Sequence, residues 1–171
     1  RRQYGVVTLN DGVVHVAGFT APPRRGTTGD PGQTPRWAGV MADASMGVTV
    51  QGNTLANDAV VGNGLDAFRW EDPAGFNTLA DRLMRALEAG SVAGGDVRCN
   101  DETTRQTAAM AFIIVARGGD EPYATESIGM SDQGTSAAPW LAISVRGERG
   151  GDNPLLELRL RYDRWRRGAD E

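Results

Sequence analysis

The order of the periodic segments predicts an α+β domain in which helices are layered over sheets. Three observations carry that expectation. β-rich and helical segments come in blocks (two strands, one strand, two helices, two strands, one helix) rather than in strict alternation. A single composition runs through all 171 residues, with 40% hydrophobic and 23% charged side chains, as in soluble globular chains. No internal repeat is visible, and the length fits one domain with a sizeable core.

The first block is a hairpin. Residues 4–9 and 13–19 are β-rich and are separated by Asn10-Asp11-Gly12, a short polar connection ending in glycine. Residues 20–36 hold Pro22, Pro23, Pro31 and Pro35 with almost nothing apolar, which predicts a long surface loop. Residues 47–51 alternate with period two and end in Gly52-Asn53, so a third strand is expected to stop with polar groups at its tip. Asn57 or Asp58 is placed to cap a helix with Val61, Leu65 and Phe68 on one face, weakened by Gly62 and Gly64. Thr78 with Asp81 three residues on resembles a capping box for a second helix. Its expected apolar face is Leu79, Leu83 and Leu87, its stop is Gly90, and Arg82 and Arg85 point to solvent.

The stretch 94–117 is the centre of the chain. It begins with Gly94-Gly95-Asp96-Val97-Arg98-Cys99, continues through Arg105-Gln106-Thr107, and enters the uncharged run 108–116, expected to be a strand buried on both faces. A rigid strand with a chemistry-rich loop at its entry is a common place for a site. Residues 118–139 form a second long polar connection, and residues 140–145 a strand with Leu141, Ile143 and Val145 on one face. A last helix, with Asn153 as cap and Pro154 in its first turn, buries Leu155, Leu158, Tyr162 and Trp165. Arg161, Arg164, Arg166 and Arg167 complement the negative end of its dipole.

Several chemistries are excluded by composition. All 18 basic residues are arginine, so a P-loop, a lysine Schiff base and a Ser-x-x-Lys mechanism are ruled out. One histidine and one cysteine cannot make a zinc site, and neither a metal nor a cofactor is expected. A Ser-His-Asp triad would have to use His15, which sits in a strand. A net charge of −4 argues against a nucleic-acid surface, and no apolar run approaches the roughly 18 residues of a membrane span. Gln51 and Asn53 can face a ligand from a strand tip, although Gly52-Asn53 can equally form a plain turn. Asp96 and Arg98 can equally be an ion pair bracing the Gly94-Gly95 turn.

The segments Arg2-Gln3-Tyr4-Gly5-Val6-Val7, Gln51-Gly52-Asn53, Leu79-Ala80-Asp81-Arg82-Leu83, Gly94-Gly95-Asp96-Val97-Arg98-Cys99, Arg105-Gln106-Thr107-Ala108-Ala109 and Asn153-Pro154 with Tyr162-Asp163-Arg164-Trp165-Arg166 occur in the order of a known family. The chain resembles the domain of unknown function 1028 family, which looks related to the N-terminal nucleophile (Ntn) hydrolases. The resemblance implies a four-layer α-β-β-α sandwich of which this chain is the C-terminal part. It also implies hydrolysis of an amide or peptide bond by a Thr, Ser or Cys whose own α-amino group is the base. Arg1 cannot be that nucleophile, so a missing N-terminal segment or companion chain would supply it. Asn53 would then donate to the oxyanion, Asp96 would act beside it, and Gln51, Arg98 and Gln106 would hold substrate. A sheet edge left exposed or externally paired, with association into a homo-oligomer, also follows. The Arg98-Cys99 version of the motif is associated with exported members, and Cys99 would pair with a cysteine of the missing segment unless it is a buried thiol. A non-catalytic binding or structural domain on the same fold is the competing reading.

Overall fold

Asp11 and Gly12 both take positive φ, 49° and 79°, as a type I′ turn requires. They join β1 (Gln3–Asn10) to β2 (Val13–Thr20) in unbroken antiparallel register, Asn10 opposite Val13 and Gln3 opposite Thr20. The structure is a computed structural model that describes residues 2–21, 36–99, 103, 105–117, 140–148 and 150–169. Most of the first expected loop and all of residues 118–139 lie outside the described residues.

A second hairpin, β3 (Trp37–Asp43) and β4 (Val48–Leu55), follows. Strand β3 is absent from the sequence reading because its Ala-Gly-Val-Met-Ala centre has neither β-branched density nor alternation. Strand β4 outruns the expected 47–51, so Asn53 sits in the ladder opposite Ala38 and not in a Gly-Asn turn. The two hairpins stack face to face, β1 over β4 and β2 over β3 and β4. Gly5 makes that approach possible, since a Cβ there would lie 2.6 Å from Gln51 Nε2.

On the opposite face of β4, Val48 and Val50 pack against α1 (Ala59–Arg69) and α2 (Leu79–Val92), with Leu65 and Phe68 completing that core. The capping box of α2 is present, Thr78 and Asp81 bonding each other's backbone. Asp58 gives α1 no side-chain cap, and Asn57 instead donates to the Ala93 carbonyl at 3.0 Å.

The buried stripe of α2 differs from the expected leucine face. Leu79 is 52% exposed, Leu87 is exposed, and Ala80, Asp81 and Met84 are the buried residues. The helix is wedged between two cores, Leu83 and Ala86 toward α1 and Ala80 and Met84 toward the sheet of residues 110–115 and 141–146, which shifts its covered face by one position. Arg82 and Arg85 are likewise not solvated. Arg82 donates to the carbonyls of Phe68 and Asn77 at 3.0 and 3.1 Å and pairs with Glu71. Arg85 donates to the Trp70 carbonyl at 3.0 Å and lies over its ring. Both close the C-terminal end of α1, where carbonyls lack helical partners.

The third pair is β5 (Met110–Val115) with β6 (Leu141–Arg146), covered by α3 (Pro154–Ala169) and α2. Strand β5 is not buried on both faces. Ala111, Ile113 and Val115 are buried, whereas Met110 and Phe112 are 43% and 48% exposed, because the described helices cover one face only. The expected faces of β6 and α3 are present, with Leu141, Val145, Leu155, Leu158 and Tyr162 in one core and Trp165 packed against it. Arg159 ties α3 to α2 through Glu88. The described residues thus form a mixed α+β structure of three two-stranded antiparallel sheets and three helices.

Candidate functional site

Strand β4 carries a bulge at its end, and the bulge sorts the candidate residues. Ala38 faces Asn53 while Trp37 faces Leu55, so Thr54 is the extra residue, and it takes a φ of 63°. A β-branched side chain in the left-handed region is strained. Before the bulge, Thr49 and Gln51 point toward the first hairpin, against Gly5 and Gly18, and Asn53 shares their face by the two-residue period of the strand. After it, Leu55 turns to the helix side, where its methyls lie against Gly52.

Residues 95–97 pair with this last stretch of β4. Val97 N–H donates to the Thr54 carbonyl at 2.9 Å and Ala56 N–H to the Gly95 carbonyl at 3.0 Å, making an antiparallel bridge between Leu55 and Asp96. Directly opposed residues of such a bridge share a face. Asp96 therefore stands with Leu55 on the helix side, and Gln51 and Asn53 stand on the other. The single concave surface expected for Asn53 and Asp96 is divided by the bulge into two pairs.

In the Asp96 pair, the carboxylate accepts from the Arg98 backbone N–H and from Nε, both at 2.9 Å, and from the second guanidinium nitrogen. Asp96 in turn keeps the Arg98 guanidinium protonated to higher pH than usual, burial opposing it. Gly94 and Gly95, at φ 111° and 53°, make the preceding turn, and a Cβ on Gly95 would run into the Thr107 carbonyl. This geometry is a brace. Gln106 is buried with both ends of its amide engaged, Nε2 to the Glu148 carbonyl at 2.9 Å and Oε1 from the Gly150 N–H at 3.1 Å. It positions the loop after β6. Cys99 is half-buried at the end of the Asp96 turn, its N–H donating to the Asp96 carbonyl at 2.9 Å.

The other pair keeps unengaged chemistry. Thr54 Oγ1 donates to Asn53 Oδ1 at 3.0 Å, which fixes the Asn53 amide by its oxygen and leaves the Nδ2 hydrogens as the end that can donate. Among the described residues nothing bonds to that nitrogen. Two residues away, Gln51 Oε1 is buried and has no hydrogen-bond partner. Thr20 Oγ1 donates to the Gly52 carbonyl at 3.0 Å and holds the first hairpin against this spot.

Sequence reasoning missed Thr54 and Thr20, whose importance comes from a bulge and a cross-layer bond that no local pattern announces. It also read Asn153 only as a cap. Asn153 Oδ1 does accept from the Leu155 N–H at 3.2 Å, but its Nδ2 also reaches Thr107 Oγ1, Ser91 Oγ and the Arg105 carbonyl at 2.9, 3.0 and 3.1 Å. That node locks α2, α3 and the entry to β5 together.

A family model described as "Family of unknown function (DUF1028)" matches residues 1–145. The chain belongs to this family. The match takes in the Gln51-Asn53 strand, the Asp96-Arg98 brace and the whole of β5, and its description assigns them no reaction. No curated protein and no solved structure matches the chain.

Proposed function

We propose that this DUF1028 chain forms the walls of an Ntn-type hydrolase that cleaves an amide or peptide bond, with the nucleophile supplied by a segment outside these 171 residues. Asn53 is the observation that carries the reading. A half-buried amide held by its oxygen presents fixed N–H donors, and acyl transfer needs such donors where the oxyanion develops. The strained Thr54 that holds it fits a site where backbone strain serves orientation. Gln51, its buried Oε1 unpartnered, lies two residues before Asn53 on the same face of β4.

The four-layer α-β-β-α arrangement belongs to the same proposal. Helices α1 and α2, then β3–β4, then β1–β2 supply three consecutive layers. The outward face of β1–β2 carries Tyr4, Val6, Val13 and Phe19, all about half exposed, where a second helical layer would lie. One observation favours a binding domain without catalysis: Asp96, Arg98 and Gln106 are engaged within the chain, which leaves only Gln51 and Asn53 for a ligand.

The test uses the complete protein and amino-acid p-nitroanilides as amide probes. Asn53→Ala should lower anilide hydrolysis by about 10²–10³-fold with the melting temperature nearly unchanged. Activity that falls only in parallel with the folded fraction would assign Asn53 to structure. An intact complete protein that hydrolyses none of the anilides would leave the binding reading in its place.

A further inference from the structure

We propose that Thr20 is a positioning residue for Asn53, so that the seat of the first hairpin on β4 sets the direction in which the Asn53 amide donates. The kinetic consequence rests on the hydrolase reading, whereas the effect on the amide does not.

Shape fixes where the hairpin sits. Gly5 stands opposite Gly18, and directly opposed residues share a face, so the pair leaves a notch on the side toward β3–β4. Side chains of the second hairpin fill it. A Cβ on Gly5 would lie 2.3 Å from Thr49 Oγ1 and 2.6 Å from Gln51 Nε2, and one on Gly18 would lie 2.2 Å from Val40 Cγ2. The flanking pairs on that face, Gln3 with Thr20 and Val7 with Val16, carry full side chains. A hairpin slid along β4 would drive one of them into the Gln51 amide, so the notch holds a single register.

A single bond fixes the rest. The notch gives Gln51 Oε1 no hydrogen-bond partner. Among the described residues one hydrogen bond joins the two hairpins, from Thr20 Oγ1 to the Gly52 carbonyl at 3.0 Å. That carbonyl belongs to the planar peptide group whose nitrogen is that of Asn53, so the bond orients the backbone from which the Asn53 side chain rises. The ladder is weak at this point, because glycine loosens a strand and the bulge at Thr54 disrupts pairing directly after Asn53. Ala38, opposite Asn53, has only a methyl group to offer. Thr54 then takes Oδ1 from the other side. Two threonines from two layers thus hold one amide, Thr20 through the peptide before it and Thr54 through its oxygen.

The test labels the complete protein with 15N-asparagine and reads the side-chain order of Asn53 beside the hydrolysis of the p-nitroanilides. In the parent the Asn53 Nδ2 group should be ordered nearly as the backbone is, with an order parameter of about 0.85. Thr20→Val keeps the branch and drops the hydroxyl, and should bring that value below about 0.6. The same variant should lower kcat by about tenfold at unchanged KM, as misplacement of a donor does. Thr20→Ser should restore both. Gly5→Ala, which lifts the hairpin off Gln51, should loosen Asn53 in the same way. Thr8→Val makes the same change on the outward face and should move neither reading. Contacts between Val6 and Ala17 report in each variant that the hairpin itself is intact. An Asn53 order parameter unmoved by Thr20→Val overturns the inference whatever the rate does, and so does an equal loss in Thr8→Val. Loosening of Asn53 by Thr20→Val in a protein whose parent hydrolyses none of the anilides supports the positioning and removes the hydrolase reading alone.

Discussion

Leu155, Leu158 and Tyr162 of α3 are covered on all sides, and the buried Asn153, Gln106 and Asp81 beside them have partners, whereas the β1–β2 hairpin holds valines half open on both faces over a Gln51 oxygen that has none. The half around α3 is finished by its own side chains. The hairpin half has the composition of a middle layer, apolar toward both neighbours, but among the described residues it has one neighbour only. A hairpin of this kind is marginal by itself. Stability is therefore expected to come from the α3 half, and receptivity to other molecules from the hairpin half.

The largest effect should separate the halves outright. Leu158 is fully buried and Leu9 is 72% exposed. Leu158→Ala should cost about 2–5 kcal/mol in urea unfolding, and Leu9→Ala no more than about 0.5 kcal/mol. Equal costs would break the comparison, because the hairpin would then carry as much of the folding free energy as the core.

Next comes the buried contact between α2 and α3. Tyr162 Oη donates to Asp81 Oδ1 at 2.7 Å. Burial alone would raise the Asp81 pKa, but bonds from Thr78 and Tyr162 and the nearby Arg166 outweigh it and hold the carboxyl below its usual value. Tyr162→Phe should cost about 1.5–3 kcal/mol at neutral pH. The sign follows from linkage. A depressed folded-state pKa contributes stability that is complete above the unfolded value of about 4 and is lost as pH falls below it. The gap between the parent chain and Tyr162→Phe should therefore be widest above about pH 4 and narrow on acidification. A gap independent of pH would remove Asp81 from the account.

Asn153→Ala should come third, at about 1–3 kcal/mol, because it removes the Nδ2 bonds to Ser91, Thr107 and the Arg105 carbonyl and leaves the Leu155 N–H without its cap. Differential scanning calorimetry on Asn153→Ala and Asn153→Asp sharpens the point, since aspartate keeps the cap to Leu155 and loses the Nδ2 bonds. If both variants melt together, the node matters more than the cap.

The sequence made these elements legible to different degrees, and the reasons are physical. Local chemistry was readable wherever it stayed local: the Asp11-Gly12 turn, the Thr78-Asp81 capping box and the 155-158-162 stripe of α3 are each set by residues within two turns of one another. Strand β3 was not readable, because alanine and glycine in a strand mean nothing until β4 and the Trp37 ring lie over them. The leucine face of α2 misled because the helix serves two cores at once, and Arg82 and Arg85 because their acceptors are carbonyls of another helix. At the candidate site, the neighbourhood of β4 and residues 95–97 followed from chain order. The side on which each residue stands did not, since one extra residue in a strand reverses every side chain after it.

That extra residue gives the smallest expected effect and the finest test of the hairpin half. Thr54 holds Asn53 by its hydroxyl and is strained by its β-branch at φ 63°. The two contributions oppose each other, and substitution can separate them. Thr54→Ser keeps the hydroxyl and drops the branch, so it should melt at or slightly above the parent, by no more than about 1 kcal/mol. Thr54→Val keeps the branch and loses the hydroxyl, leaving Asn53 Oδ1 without its donor, and should melt below the parent by about 0.5–1.5 kcal/mol. On the proposed hydrolase reading, the valine variant of the complete protein should also lose amide hydrolysis beyond its loss of folded protein, because an Asn53 amide free to rotate no longer presents its N–H groups in one direction. The opposite order, valine above serine, would mean that the bulge is held by apolar packing alone, and Asn53 would then have no fixed direction in which to donate.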